Sequence, residues 1–289
     1  MKKLTHILIQ ALICSVAFGQ TTDWRSRPPD LVVPAVRQGS PSAGQRVSQT
    51  TAGWECTQVH HLLHLPADWK SGQKYPVLIE YAGNGPYSDA RGDTCDGSVE
   101  SCALGYGISA GKGFIWASLP FIEMKNDLTS NAPKWWGDVA ESKRYTMATV
   151  RDICARFGGD SQRVILCGFS RGSIGCNFIG LHDDEIAKLW CGFVCHSHYD
   201  GVRTGWPYEG ADKASALVRL KRLGNRPQWI SQESSTAATE TWLKSTEIKG
   251  DWTFVAMPFP NHSSAWVLRD LPERQKLREW VARVIKAVP

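Results

Sequence analysis

Short apolar runs alternate with amphipathic stretches along most of this 289-residue chain. Runs rich in Val, Ile, Leu and aromatic side chains are typical of buried strands, whereas apolar positions three and four residues apart are typical of helices. The predicted strands are 59–65, 76–81, 113–119, 163–167, 189–195, 227–231 and 252–258. The predicted helices are 139–156, 172–180, 213–223, 237–248 and 273–287.

This alternation predicts the fold class. Strands that alternate with helices pair mainly in parallel, and the helices then cover both faces of the sheet. The last helix illustrates the pattern, because Leu277, Trp280 and Val284 fall on one face with Arg and Lys between them. We therefore predict one α/β domain over residues 53–289, built on a mainly parallel central sheet.

The first 52 residues lack this alternation. Two lysines precede an apolar stretch over 7–18, and the small residues Ala17 and Gly19 precede a possible cleavage site, an order typical of a secretory signal peptide. We predict a signal peptide over 1–19 and an extended linker, rich in Pro, Ser, Gly and Thr, over 20–52. The apolar stretch is shorter than the roughly 20 residues of a membrane-spanning helix. We therefore expect export to the periplasm or the medium, without membrane insertion.

Charge excludes one class of partner. The chain carries 33 Lys and Arg against 28 Asp and Glu, a formal charge of +5 that falls to +3 once Lys2 and Lys3 are removed with the signal peptide. No run of basic residues is longer than two, so we predict no nucleic-acid partner. The oligomeric state stays open.

Export would also affect the nine cysteines. Without Cys14, eight remain, and an even number in an oxidising compartment predicts disulfides. Cys95 and Cys102 flank a short loop and form the most plausible pair. Cys191 and Cys195 fit one face of a strand, where they would serve as small core residues.

A serine motif directly follows the predicted strand 163–167. The sequence Gly168-Phe169-Ser170-Arg171-Gly172 has the form G-x-S-x-G between a strand and a helix, the context in which this motif makes a sharp turn that exposes a nucleophile. Glycines flank such a serine because its strained backbone brings neighbouring segments too close for side chains. We predict Ser170 as the nucleophile, with a tight turn and a capping serine as the alternative.

Chain order then indicates the general base and the acid. In this kind of site the histidine comes last, and of eight histidines only His262 lies beyond the last predicted strand. A surface loop histidine is the alternative interpretation. The carboxylate that orients the histidine should follow an earlier strand, which Glu233 and Asp200 both do. We favour Glu233, because triads of this order commonly take the acid from the later strand, and keep Asp200 as the alternative.

Backbone N–H groups must stabilise the oxyanion that forms when the serine attacks. The residue after the nucleophile supplies one donor, and the loop after the second strand supplies the other. Glycine in that loop lets the main chain approach a substrate oxygen closely. We predict an oxyanion hole from Arg171, Gly83 and Asn84, with an ordinary strand-ending turn as the alternative for the loop.

Thirteen tryptophans are unusual for this length. Those within predicted strands fit the core, but others lie in loops or beside His262, where flat aromatic faces suit sugar rings or aryl groups. The long Gly-rich segment 86–112 would follow the oxyanion loop and wall the same pocket. The predicted substrate contacts are Trp135, Trp136, Trp206 and Trp266, with sealing of a core edge as the alternative role.

Together these motifs resemble the α/β-hydrolase superfamily, and more narrowly its secreted serine esterases of the feruloyl esterase, acetylxylan esterase and polyester depolymerase type. Further similarities are Leu65-Pro66-Ala67-Asp68-Trp69, Lys74-Tyr75-Pro76 and the lead into the serine strand, Gly158-Gly159-Asp160. The resemblance covers residues 54–289 and implies Ser170 as nucleophile, His262 as base and Arg171 as an oxyanion donor. The chain departs from these esterases at Ala82-Gly83, where they usually have His-Gly, and at Gln232-Glu233-Ser234-Ser235, where they usually have Gly-x-x-Asp.

The sequence therefore predicts an exported serine hydrolase that cleaves a carboxylic ester through an acyl-enzyme on Ser170. The loop tryptophans and the resemblance favour a carbohydrate-linked acyl ester, carried by a small molecule or a polysaccharide. The alternatives are a peptidase or polyester hydrolase with the same triad, and a non-catalytic carbohydrate-binding relative. The mechanism needs no cofactor. His196 and His198, together with Asp200, could suggest a metal site. No ligand from a distant part of the chain is evident to complete such a site, so we predict no metal.

Overall fold

Strands and helices alternate along the computed structural model, which describes residues 23–288. The predicted signal peptide, 1–19, lies outside the described residues. The strands are β1 Val36–Arg37, β2 Arg46–Gln49, β3 His61–His64, β4 Tyr75–Tyr81, β5 Tyr87–Ser88, β6 Thr94–Cys95, β7 Ile115–Leu119, β8 Ile122–Lys125, β9 Leu128–Asn131, β10 Gly159–Phe169, β11 Gly192–His196, β12 Gln228–Glu233 and β13 Trp252–Met257. The helices are α1 Leu104–Ser109, α2 Val139–Arg156, α3 Arg171–Phe178, α4 Asp184–Ala187, α5 Lys213–Leu220, α6 Ala237–Ser245 and α7 Pro272–Ala287.

One mainly parallel sheet organises the described chain. Nine strands of residues 23–288 join in the order β1-β2-β3-β7-β4-β10-β11-β12-β13, and from β7 to β13 every neighbouring pair is parallel. Only β3 among these nine runs antiparallel to its neighbours, β2 and β7. The predicted α/β class and its mainly parallel sheet are confirmed.

Apolar side chains of the central strand β10 pack on both faces of the sheet. Val164 and Leu166 belong to a core cluster that includes side chains of α2, α3, α5 and α6. Ile165 and Cys167 point the other way, into a cluster with α1 and α7. Strand side chains alternate between faces, so a continuous apolar run such as this one requires helices on both.

The sheet begins earlier in the chain than predicted. All seven predicted strands and five predicted helices are present with ends shifted by a few residues, but β1 and β2 fall inside the predicted linker, 20–52. Val47 is fully buried in the core, and Arg46 beside it is buried with its guanidinium bonded to the carbonyls of Val99 and Glu100. A strand of four residues, such as β2, is too short to show a hydrophobic period in the sequence. Contacts with residues far along the chain stabilise it.

Helix α1 lies in the predicted wall segment 86–112 and depends on a tertiary contact. Its N-cap, Ala103, has no side chain that can accept a hydrogen bond. The buried carboxylate of Glu80 instead accepts from the backbone N–H groups of Ala103, Leu104 and Gly105 at 3.0, 2.9 and 2.8 Å. It also accepts from the indole of Trp116 at 2.9 Å. A residue on β4 thus caps a helix more than twenty positions later, which local sequence does not reveal.

The cysteines of the described chain are free thiols. The predicted pairing of Cys95 with Cys102 is therefore not formed in the structure. Cys102 is buried and Cys95 half-buried, and burial raises the pKa of both thiols. Within residues 23–288, no helix has the length and apolar character needed to cross a membrane.

Candidate active site

The predicted site residues meet at the carboxyl edge of the parallel strands. Ser170 follows β10, Glu233 ends β12, and His262 lies in the loop after β13. The carboxyl ends of neighbouring parallel strands lie at one edge of a sheet, where open α/β folds commonly bind ligands. The topology therefore brings together three residues that are up to 92 positions apart in the chain.

Ser170 has a strained backbone at the turn between β10 and α3. Its φ is 53° and its ψ is −113°, a conformation that residues with a side chain rarely adopt. A Cβ added at Gly168 would lie 2.2 Å from the backbone of Gly172, and one added at Gly172 would lie 2.0 Å from the carbonyl oxygen of Tyr81. Both glycines of the motif are thus required by close backbone packing, as the G-x-S-x-G pattern predicts.

Ser170, His262 and Glu233 form a hydrogen-bonded chain. The Ser170 Oγ lies 3.0 Å from Nε2 of His262. On the other side of the ring, Nδ1 lies 3.0 Å from Oε1 of Glu233. The ring of Phe169 packs against the imidazole with centroids 4.8 Å apart and helps to fix its orientation. This is the geometry of a serine, a base and an orienting carboxylate.

A fourth residue, Ser197, lies within this chain. Its Oγ is 2.5 Å from Oε1 of Glu233 and 2.6 Å from Nδ1 of His262. An ionised carboxylate can only accept, and a hydroxyl has one proton to donate. Ser197 therefore donates to Glu233 and accepts from the N–H at Nδ1, which leaves Nε2 of His262 as an acceptor facing Ser170.

The carboxylate of Glu233 stays ionised at neutral pH. Burial by itself raises the pKa of Glu233, but the hydrogen bond from His262, the charges of nearby imidazoles and the Ser197 hydroxyl together lower the pKa to about 2. The group is therefore a permanent negative charge beside Nδ1, where it stabilises a protonated imidazole.

Asp93 holds the loop that carries His262. This buried carboxylate accepts from the backbone N–H of His262 at 3.0 Å and from the side-chain amide of Asn261 at 3.2 Å. Arg25, near the start of the described chain, lies 3.8 Å from the same carboxylate. The position of the imidazole thus depends on the wall segment and on residues before β1.

Asp200, the alternative acid, forms a salt bridge with Arg219 and not with His262. Its buried carboxylate accepts from Nε and Nη2 of Arg219 at 2.8 and 3.0 Å. Its carbonyl oxygen accepts from the indole of Trp242. The structure therefore places Glu233, not Asp200, against His262.

A cavity of about 520 Å³ opens at Ser170. The wall segment contributes Pro86, Tyr87, Asp89, Arg91 and Cys95 to its lining. Of the three predicted oxyanion residues, Arg171 and Asn84 line this cavity. Gly83 instead lines a smaller neighbouring cavity, where a Cβ added to it would lie 2.7 Å from Sγ of Cys95 and 2.9 Å from the ring of Phe169.

The side chain of Arg171 connects the loops around the cavity. It is buried, and its guanidinium donates to the carbonyls of Ala82, Ala132, Trp135 and Gly97 at 3.4, 3.0, 2.8 and 3.1 Å. Burial lowers the pKa of Arg171 to about 9, so the group is still protonated at neutral pH. Its side chain thus holds the loops around the cavity together.

Two of the four predicted tryptophans lie at the cavity and two do not. Trp135 and Trp206 line it, with ring centroids 5.2 Å apart. Trp136 is 3% exposed and stacks on Phe178 at 4.5 Å. Trp266 is fully buried and donates its indole N–H to His196. The prediction of substrate contact was wrong for Trp136 and Trp266, because neighbouring core residues cover both rings.

Sequence reasoning missed Ser197 and Asp93 as members of the site. Ser197 lies between His196 and His198, which the sequence suggested only as possible metal ligands. Asp93 lies in the predicted wall segment, 86–112, and was given no role of its own. Ser197 does follow a predicted strand at the same edge as Ser170, which is the one signal that could have indicated it. No group of three or more His, Cys, Asp or Glu in the described chain is arranged to hold a metal ion.

A parallel sheet with a serine elbow after its central strand and a histidine in the last loop defines the α/β-hydrolase fold. The chain has this fold, and solved structures support the assignment. It is similar to a fungal esterase from Rhizomucor miehei, with a TM-score of 0.56, 12% identity, and coverage of 84% of this chain and 82% of that one. It is also similar to a thermostable esterase, with a TM-score of 0.53, 12% identity, and coverage of 82% of this chain and 62% of that one.

A dipeptidyl aminopeptidase IV from Bacteroides ovatus matches with a TM-score of 0.53, 16% identity, and coverage of 85% of this chain and 36% of that one. The chain thus spans less than two thirds of the length of the thermostable esterase and of this peptidase. No protein-family model matches the sequence, and no curated protein matches it. At these identities the likeness defines the fold alone.

Proposed function

We propose that this protein is a serine hydrolase that cleaves carboxylic esters through an acyl-enzyme on Ser170. The observation that carries the proposal is the hydrogen-bonded chain from Ser170 through His262 to Glu233, at the floor of a cavity. The esterase and peptidase structures that share this fold are consistent with hydrolysis.

The proposed mechanism follows from the donor and acceptor roles assigned above to Ser197, Glu233 and His262. Ser170 Oγ attacks the ester carbonyl carbon while its proton passes to Nε2 of His262, and the ionised Glu233 stabilises the imidazolium. The backbone N–H of Arg171 and that of Asn84 stabilise the oxyanion. The C–O bond to the alcohol then breaks as His262 returns the proton to the leaving oxygen. Water, deprotonated by His262, then attacks the acyl carbonyl carbon. The bond from that carbon to Ser170 Oγ breaks as His262 returns the proton to Oγ, which releases the acid and restores Ser170.

The proposal is tested with 4-nitrophenyl acetate and butyrate. The wild-type protein should hydrolyse them with burst kinetics, and Ser170→Ala should lower kcat by about 10⁵-fold or more, because no nucleophile remains. Ser173→Ala serves as a matched control, since this buried serine of α3 bonds only to the carbonyl of His198 in the described structure. Absence of wild-type hydrolysis across acyl esters, together with retained polysaccharide binding, would instead favour a non-catalytic binding protein.

Ser197 should act as a positioning residue in this mechanism. Removing its hydroxyl deletes one charge-assisted hydrogen bond, worth about 1.5–3 kcal/mol, so kcat of Ser197→Ala should fall about tenfold to a hundredfold with KM nearly unchanged. Ser197 has a φ of 88°, so Ser197→Gly removes the same hydroxyl from a residue that adopts this backbone freely. Equal losses in both variants would assign the effect to the hydroxyl; full activity in Ser197→Gly would contradict the role.

A carbohydrate-linked ester remains the proposed substrate class. Its support is the pair of tryptophan rings at the cavity, Trp135 and Trp206, which offer flat faces to a sugar or aryl ring. A screen of acetylated and feruloylated oligosaccharides tests this choice. Aminoacyl nitroanilides and polyester films in the same screen test the peptidase and polyester alternatives.

A further inference from the structure

The cavity at Ser170 has a surplus of positive side chains. Four basic residues line it, against the two acids Asp89 and Glu233, and the basic residues are Arg91, Lys134, Arg171 and Arg203. Walls of low dielectric around such a cleft concentrate the field of like charges and attract ions of opposite sign.

Both acids in the lining are already engaged. Glu233 is bonded to His262 and Ser197. Asp89 accepts from the backbone N–H groups of Arg91 and Asp93 at 2.9 and 3.0 Å and from the Tyr87 hydroxyl at 3.3 Å. The acids therefore serve the local structure, and with two negative charges against four positive ones the lining keeps a formal surplus of two positive charges.

Three of the cations form no salt bridge within the described residues. The side chains of Arg91, Lys134 and Arg203 are exposed, and no carboxylate of residues 23–288 lies within 4.0 Å of their charged atoms. Arg171 differs, because backbone carbonyls surround it. The lining thus holds three positive groups with unused capacity for an anion.

Arg203 stacks on one of the two tryptophan rings at the cavity. Its guanidinium carbon lies 4.0 Å from the ring centroid of Trp206, which in turn packs against Trp135. A guanidinium stacked by one face keeps the N–H groups at its edge for a planar anion. On the other side, the backbone N–H of Trp135 bonds to Asn84 at 2.7 Å, which fixes Lys134 beside the proposed oxyanion loop.

His198 does not add to this charge at neutral pH. It lines the cavity between Arg203 and His262, and burial, together with these two neighbours, lowers the pKa of its imidazole to about 4. The cationic character therefore comes from arginine and lysine and persists from about pH 5 upward.

We propose that the ester substrate carries an anionic oxyacid group, such as a carboxylate or a sulfate, on the part that holds its ring. The ring packs on Trp135 and Trp206, and the anion binds Arg203, Lys134 and Arg91 while the ester carbonyl meets Ser170. This inference rests on the proposed hydrolase function and narrows its substrates to acidic esters.

The test uses pairs of esters that differ in charge. On the alcohol side, 4-acetoxybenzoate is compared with methyl 4-acetoxybenzoate, and 4-acetoxybenzenesulfonate distinguishes a sulfur oxyanion from a carboxylate. Methyl 4-acetoxybenzoate, the neutral member, releases the more acidic phenol and so has the better leaving group. Intrinsic reactivity therefore opposes the expected preference for the anionic ester. On the acyl side, monomethyl terephthalate is compared with dimethyl terephthalate.

We expect kcat/KM to be about tenfold higher for the anionic member of at least one pair, and the ratio to shrink at high salt. The triple variant Arg91→Gln, Lys134→Gln, Arg203→Gln should bring that ratio close to one. A charge-matched control, Lys112→Gln, Lys276→Gln, Arg283→Gln, changes three exposed residues outside the cavity lining and should keep the ratio.

Two results would overturn the inference: equal kcat/KM for both members of both pairs, or a preference that survives the triple substitution in the cavity. Either leaves the proposed hydrolase function intact, since the esters are still cleaved. Failure of that function is distinct, because the wild-type protein would then cleave neither member of any pair.

Discussion

Replacement of Glu233 by glutamine should lower kcat by about a thousandfold or more while the protein stays folded. The neutral amide cannot stabilise the imidazolium of His262, and its NH₂ group can present a donor to Nδ1, which favours the tautomer that is unable to accept the Ser170 proton. The measurement is kcat for a nitrophenyl ester, with the free energy of unfolding in urea determined in parallel.

Asp200→Asn is the matched comparison, because it makes the same chemical change at the alternative acid. Its carboxylate pairs with buried Arg219, so the substitution should lower the free energy of unfolding by about 3–5 kcal/mol. In the folded fraction kcat should change less than about threefold. A folded Asp200→Asn with lost activity, beside an active Glu233→Gln, would reverse the assignment of the acid.

Replacement of Arg171 by methionine should lower both stability and activity. Four carbonyl oxygens would lose their donor, and each unsatisfied buried acceptor costs about 1–3 kcal/mol, so a loss of about 3–5 kcal/mol is expected after partial relaxation. The loops at Ala82 and Trp135 would shift, and a displacement of about 1 Å near the reacting atoms can cost about a hundredfold in kcat. The backbone N–H of residue 171 remains, so the loss would report the side chain.

Arg226→Met separates the two effects. Arg226 also donates to backbone carbonyls, those of Leu223, Ala187 and Arg222, but it lines surface cavities remote from Ser170. This variant should lose stability without a comparable loss of kcat. If Arg171→Met were as stable and active as the wild-type protein, the connecting role of Arg171 would be refuted.

The fold was predictable because its strands are continuous apolar runs and its helices are amphipathic. The serine elbow was predictable because its whole motif lies in five consecutive residues after an apolar strand, although only Gly168 packs within that segment and Gly172 packs against Tyr81 of β4. Both features are local in sequence. Strand β2 and helix α1 were missed because Arg46 and Glu80 stabilise them through partners far along the chain.

The candidate site was predictable only in part. Chain order indicated His262 and favoured Glu233 over Asp200, but both acids follow strands, so the order alone does not show which of them contacts the imidazole. Arg219, from α5, engages Asp200 and leaves Glu233 for the imidazole. Trp266 was assigned to the substrate because it is near His262 in sequence, yet its ring faces the core. Side-chain direction after a loop depends on packing that no periodic pattern encodes.

The pair of tryptophan rings at the cavity also provides an intrinsic optical reporter. Indole emission responds to the polarity around the ring, and Trp135 and Trp206 are partly exposed where most of the other tryptophans are buried. A ligand that displaces water from these two rings would shift the emission to shorter wavelength against a nearly constant background. Binding to the catalytically silent Ser170→Ala protein can therefore be followed by fluorescence, without a label and without turnover.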